Sequence, residues 1–187
     1  CICEQKVIDA ICIGEGEFPL LELACSIRSG EQSTKVNNMW FRQNGRIIKN
    51  EIRDSISDLD ALPFPDRDLY VKKYPDALHM LTFMCGRGCS FNCSYCFNKG
   101  MKELYKGKGS WVRFKSNERI IEEIQEAIIK YPAKYVFFSD DTFNLNAAKL
   151  KEFLRIYKEK INIPFLTSMR IDLASEEQIE WLKQSGV

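Results

Sequence analysis

The stretch LHMLTFMCGRGCSFNCSYCFN, residues 78–98, passes from an alternating apolar run into a loop with four cysteines inside twelve positions. The first seven residues have the period of a β-strand, and the glycines that follow end it. What comes after repeats the theme. Ile120, Ile121, Ile124, Ala127 and Ile128 share one helix face, and KYVFFS (134–139) reads as a buried strand. Leu150, Phe153, Leu154 and Tyr157 restore helical spacing, IPFLTSM (163–169) is another strand, and SEEQIEWLKQSG (175–186) is a third helix. Ser175 and Gln178 fit a capping box at its start. Three strand-helix units in succession predict parallel strands joined by right-handed crossovers. In such sheets the chemistry gathers at the carboxyl ends of the strands. The cysteine loop ends the first strand, Asp140 and Asp141 end the second, and Ser168 and Arg170 end the third, so all three converge on one rim.

Upstream, Val7–Ile13 reads as a strand that breaks at Gly14 and Gly16, and residues 17–30 form an amphipathic helix closed by Gly30. Asn44-Gly45 between two short apolar runs is a strong hairpin signal. Residues 51–76, with LPFPDRD inside them, read as an ordered linker. The chain begins with Cys1 and stops just past a helix, which reads as a piece of a longer protein.

Composition narrows the function classes. At 187 residues, 45% apolar and 28% charged, the chain can build a core without disulfides, and its net charge of +1 gives no electrostatic reason to expect nucleic acid. No apolar run is long enough to span a membrane and no signal peptide is legible, so a cytoplasmic location is expected. In a reducing compartment clustered thiols bind metal more often than they pair.

Within the cluster, Cys89, Cys93 and Cys96 make CxxxCxxC, and Cys85 stands four positions earlier. Random placement of eight cysteines would produce this triple roughly 0.01 times per chain. So tight a loop lets three thiolates face one concavity, which suits a cubane iron-sulfur cluster. Four thiolates close such a cluster and make an electron carrier; three leave one iron open, as an open position marks a catalytic metal.

CSFNCSYC (89–96) resembles the signature of the radical S-adenosylmethionine enzymes. The resemblance implies that Cys89, Cys93 and Cys96 ligate a [4Fe-4S] cluster whose fourth iron is chelated by S-adenosyl-L-methionine, with Tyr95 near the adenine. It implies reductive cleavage to a 5′-deoxyadenosyl radical, an electron donor such as flavodoxin or ferredoxin, and an incomplete parallel (β/α)6 TIM-type barrel of which this chain holds three units. VIDAICIGEGE, DLDALPFPDRDLY, WVRFKSNERIIEEI and FFSDDTF occur in the order seen in the subgroup whose radical domain follows a cobalamin-binding domain. On that likeness residues 1–30 are the C-terminal strand-helix remnant of a Rossmann-like cobalamin domain, 31–76 a hairpin and linker, and 77–187 the first half of the radical domain. The cobalamin-ligating DxHxxG stretch is absent, and Cys85 falls where the family pattern needs no cysteine. Methyl transfer to a small-molecule or lipid-like substrate is the first expectation for the reaction, and the piece alone is expected to lack turnover.

Each candidate has a plainer reading. Cys85, Cys89, Cys93 and Cys96 together could make a non-enzymatic electron-transfer or zinc module. Asp140 or Asp141 accepts bonds from the methionine ammonium, as the resemblance implies, or else caps the next turn. Arg170 forks onto a ligand carboxylate or pairs with Asp172. Cys1, Cys3, Cys12 and Cys25 read as small buried hydrophobes, and His79 as no ligand. Residues 98–119, with seven basic and two acidic side chains, read as a solvated loop rather than a nucleic-acid strip.

Overall fold

The computed structural model describes residues 7–31, 34–74 and 79–187. The chain divides into two units, residues 1–57 with 91–110 and residues 58–90 with 111–187. Among the described residues no helix is long and apolar enough to cross a membrane.

In the first unit β1 (Ala10–Cys12) pairs antiparallel with β2 (Met39–Gln43), which turns back into β3 (Arg46–Lys49). Asn44 and Gly45 both have positive φ, 50° and 74°. That is the type I′ geometry whose twist matches the strands it joins. Val36, Met39 and Phe41 form the core with Ala10, Cys12 and Leu23, the last from helix α1 (Glu17–Arg28). Asn38, buried at φ 67°, ties the sheet to the chain beyond it, donating to the Ile13 carbonyl at 2.8 Å and accepting from the Arg53 amide at 2.8 Å. Against the expectation of buried thiols, Cys25 is exposed on the face of α1 turned from this core, and Cys12 on β1 is half-buried at its margin. Cys1 and Cys3 lie outside the described residues.

The segment after the cysteines is not a solvated loop: residues 98–110 belong to this unit and residues 111–119 to the second. It holds helix α3 (Asn98–Leu104), and Tyr105 is buried, its hydroxyl accepting from the Glu15 amide at 2.8 Å. Glu15 in turn accepts from the Ile56 amide at 2.7 Å, and the Ser55 amide donates to the Lys108 carbonyl at 2.8 Å. One aromatic anchor outweighs the high lysine content; Lys99 and Lys106 stay exposed, while Lys102 donates to the Phe91 carbonyl at 2.8 Å.

The second unit is built on the parallel sheet β4 (Met80–Phe83), β7 (Tyr135–Phe138) and β8 (Phe165–Thr167), with β7 central. Between β4 and β7 run a short antiparallel pair, β5 (Gly86–Arg87) with β6 (Arg113–Phe114), and helix α4 (Asn117–Lys130). Helix α5 (Ala147–Lys160) joins β7 to β8, and α6 (Glu176–Ser185) follows. Leu81, Phe83, Val136, Phe138 and Phe165 pack on Ile120, Ile121 and Ile124 of α4 and on Leu150, Phe153, Leu154 and Tyr157 of α5. Phe138 is the centre of this core, stacked on Phe143 at 5.0 Å and edge-on to Phe153 and Phe165 at 5.3 Å. Such pairs add about 1 kcal/mol each beyond the area they bury. The expected full burial of KYVFFS holds for one face only: Tyr135 is exposed and Phe137 half-buried, as are Met80, Thr82 and Leu166 exposed on the neighbouring strands.

Ser116, Asn146 and Ser175 cap α4, α5 and α6 through the amides three residues on. The box at Ser175 forms only by half, since the Gln178 side-chain oxygen is buried without a hydrogen-bond partner. The described part of the linker is ordered: it carries helix α2 (Asp68–Lys73) and is tethered at Asp60, Phe64 and Arg67. Asp60 accepts from the Ser116 amide at 2.9 Å, and Arg119 lies 3.7 Å over the Phe64 ring. Arg67 covers the outer edge of β4, donating to the Thr82 carbonyl at 3.1 Å and pairing with buried Glu123 at 3.0 Å, which also takes Lys115. Three prolines hid this short helix in the sequence, because its stability comes from these tethers rather than from periodicity.

Candidate metal and cofactor site

The parallel register aligns Phe83, Phe138 and Thr167, so the three loops that follow start from one rim of the second unit. Two buried side chains lace them together. Asp140, 7% exposed, accepts from the Cys85 amide at 3.0 Å and the Gly86 amide at 2.8 Å, which joins the first loop to the second. Asn144 donates to the Arg170 carbonyl and accepts from the Arg170 amide, both at 3.0 Å, which joins the second to the third. Each is a two-point clamp on backbone that would otherwise be left unsatisfied in a buried position.

The entry to the cysteine loop is held sterically as well. Gly88 has φ 81°, and a Cβ there would clash with the Trp111 carbonyl oxygen, so only glycine fits. Cys89 follows, 7% exposed, its sulfur 3.3 Å from the Thr142 hydroxyl. Beyond Ser90 the chain enters the first unit. There the Cys96 amide donates to the Cys93 carbonyl at 3.1 Å, closing a tight turn with both thiols half-buried. The buried Asn98 side chain donates to the Cys96 sulfur at 3.6 Å. Tyr95, between those two cysteines, is 91% exposed. All six described cysteines are thiols, none in a disulfide. Among the described residues, no three His, Cys, Asp or Glu side chains are gathered closely enough to hold a single metal ion.

Cys85 is as buried as Cys89, at 8% exposed, but of the loop's cysteines it is the one in the core cluster, with Leu81 and Phe83. Burial, and then the neighbouring Asp140 charge, push its thiol well above the ordinary value. Asp140 itself is raised by burial, against the pull of the two backbone donors. Asp141, by contrast, is exposed. Ser168 is exposed and its carbonyl accepts from the Phe143 amide at 3.2 Å. Arg170 forks onto Asp172 at 3.0 and 2.6 Å, the plainer of its two readings, and holds that carboxyl below its usual range. His79 is exposed at the start of β4. Thr142, Asn98, Asn144 and Gly88 were not candidates from the sequence. Of these only Gly88, beside a cysteine motif, carried a local signal.

A three-cysteine loop thus follows the first strand of the second unit's parallel α/β sheet. The model of the Radical SAM superfamily matches residues 83–187, and the chain belongs to that superfamily. An uncharacterized methyltransferase of Pyrococcus horikoshii is 33% identical over 186 residues, covering 98% of this chain and 39% of the relative. The structure of OxsB, a cobalamin-dependent S-adenosylmethionine radical enzyme with aqua-cobalamin and S-adenosylmethionine bound, superposes with a TM-score of 0.71 at 18% identity, over 95% of this chain and 27% of that one. TsrM from Kitasatospora setae, a radical S-adenosylmethionine methyltransferase solved with cobalamin and a [4Fe-4S] cluster, gives 0.69 at 16% identity, over 96% of this chain and 36% of that one. At these identities the two structures establish a shared fold. The chain spans about two fifths of the length of the curated relative.

Proposed function

We propose that this chain is the cluster-bearing part of a cobalamin-associated radical S-adenosylmethionine enzyme, with Cys89, Cys93 and Cys96 holding a [4Fe-4S] cluster and one iron left for S-adenosylmethionine. The observation that carries this reading is the division among the loop's thiols. Cys85 belongs to the core cluster and its ionised form is disfavoured by burial and by the Asp140 carboxylate beside it, whereas Cys89 and Cys96 each have an uncharged buried side chain, Thr142 or Asn98, within hydrogen-bond reach of the sulfur. The donor chemistry of the motif fits the group: three soft sulfur ligands. When bound, cluster and S-adenosylmethionine supply reductive cleavage of the sulfonium and the 5′-deoxyadenosyl radical that follows.

The chain's own residues do the positioning. Asp140 is committed to the backbone at the loop entry, so exposed Asp141 is the carboxylate left to take the methionine ammonium. Tyr95 offers an open ring to the adenine, and Ser168 an exposed hydroxyl on the third rim loop. Arg170 reaches a ligand carboxylate only by leaving Asp172. The sheet face bearing Met80, Thr82, Tyr135 and Leu166 is uncovered, as the lumen face of an incomplete (β/α)6 barrel would be. Residues 1–30 are read as the end of a cobalamin-binding domain, which the likeness to OxsB and TsrM along 95% or more of the chain supports. Methyl transfer is the reaction favoured by the methyltransferase relative. A cytoplasmic setting, with flavodoxin or ferredoxin as electron donor, suits cysteines held as thiols and a low-potential centre.

The test is anaerobic reconstitution with iron and sulfide, followed by EPR of the reduced sample with and without S-adenosylmethionine. The expected result is about four irons per chain and a spectrum that changes on adding the nucleotide. Cys85→Ala keeps the cluster, and alanine at Cys89, Cys93 or Cys96 loses it. Zinc in place of iron, or a cluster indifferent to the nucleotide and dependent on Cys85, would return the chain to the electron-carrier or zinc class.

A further inference from the structure

Two of the three motif sulfurs lie beside a buried polar side chain that the cysteine motif does not contain. Asn98, 2% exposed, presents its amide nitrogen to the Cys96 sulfur at 3.6 Å. Thr142, 5% exposed, sits with its hydroxyl 3.3 Å from the Cys89 sulfur and 2.7 Å from the Asp141 carbonyl. The amide nitrogen can only donate, so the direction at Cys96 is set. At Cys89 it depends on what the sulfur carries. A carbonyl only accepts, so in the thiol form the hydroxyl proton goes to Asp141 and the S–H points at the hydroxyl oxygen. An iron-bound sulfur has no proton and only accepts. The threonine proton is then the one hydrogen shared by the pair, and rotation about a single bond turns it to sulfur.

We infer that Thr142 and Asn98 are hydrogen-bond donors to two cluster-ligating sulfurs and set the cluster's reduction potential, an inference that rests on the cluster assignment proposed above. Reduction adds one electron, spread over iron and sulfur. A donor aimed at a ligand sulfur holds the more negative form better, and a buried site strengthens that preference because water does not screen it. Both side chains therefore make the cluster easier to reduce. They are positioning residues, since neither touches the reacting atoms. Thr142 lies 53 positions from Cys89 in the chain, so the register of β4 on β7 is what joins them.

The test uses the full chain, reconstituted anaerobically, as wild type, Thr142→Val, Thr142→Ser and Asn98→Leu. Iron and sulfide are counted on each sample, and the potential is read by dye-mediated titration followed by EPR. Thr142→Val and Asn98→Leu should each make reduction about tenfold less favourable, a shift of about 59 mV to lower potential for one electron, at unchanged iron content. Thr142→Ser should stay with the wild type. Should a variant fail to hold iron, the wild type decides alone: the Fe–S stretching bands in resonance Raman spectra shift in deuterated water if donors reach the sulfurs. Full iron content with an unmoved potential, or stretches blind to deuterium, overturns this inference and leaves the cluster assignment standing. A wild type that binds no cluster overturns both.

Discussion

Asp140→Asn is the substitution that probes how the rim is held together. The carboxylate accepts from two adjacent amides, Cys85 at 3.0 Å and Gly86 at 2.8 Å, and is almost fully buried. Asparagine keeps one acceptor oxygen, so one of the two amides faces an NH2 group. An orphaned buried N–H costs about 1–3 kcal/mol, and the surviving bond loses its charge assistance, about 1 kcal/mol more. Relief from burying a charge offsets about 1 kcal/mol of this, because the fold disfavours that charge: burial raises the carboxyl above its ordinary 3.8. The net expectation is a loss of about 2 kcal/mol at pH 7, roughly thirtyfold in the folded-to-unfolded ratio. Urea denaturation followed by circular dichroism reads it, and hydrogen exchange should show lost protection at amides 85 and 86. The pH dependence gives a sharper check. A raised folded-state value means that stability from this proton is fully present below the unfolded value and is lost as pH rises through the folded one. Asparagine has no such proton, so the wild type's margin should shrink from the acid range to neutrality. A margin that grew with pH, or a variant as stable as wild type with both amides still protected, would refute the reasoning.

Other perturbations test neighbouring parts of the argument. Glu123→Ala leaves Arg67 and Lys115 facing a buried site without their partner; as both retain some exposure, the loss should be about 3 kcal/mol by chemical denaturation. Gly88→Ala forces a side chain into the left-handed region and against the Trp111 carbonyl, costing about 2 kcal/mol or more and lowering iron uptake on reconstitution. In the metal-free protein at pH 8, iodoacetamide should modify exposed Cys25 at least about tenfold faster than Cys85, read by peptide mass spectrometry. Equal rates would mean that Cys85 is not sealed in the core.

Local periodicity made most of the second unit legible. The apolar positions of α4 and α5 that the sequence singled out are those that pack on β4, β7 and β8, and Asn44-Gly45 turns as its chemistry demands. What local pattern missed are elements held by distant partners. Helix α3 is secured through Tyr105 on the Glu15 amide, ninety positions away, and α2 through side chains reaching α4. Neither leaves a periodic trace, because neither is stabilised mainly by its own residues.

By itself the sequence determined the spacing of three thiols and the alternation that makes a parallel sheet, since each depends on residues a few positions apart. Only the tertiary structure decided between members of a pair. It turned Asp140 onto backbone and Asp141 to solvent, sealed Cys85 while leaving Cys93 and Cys96 half-exposed, and closed Arg170 on Asp172. It also set Thr142 beside Cys89. The physical reason is that burial and hydrogen-bond partnership across fifty residues follow from strand register and loop closure, which a side chain's identity does not encode.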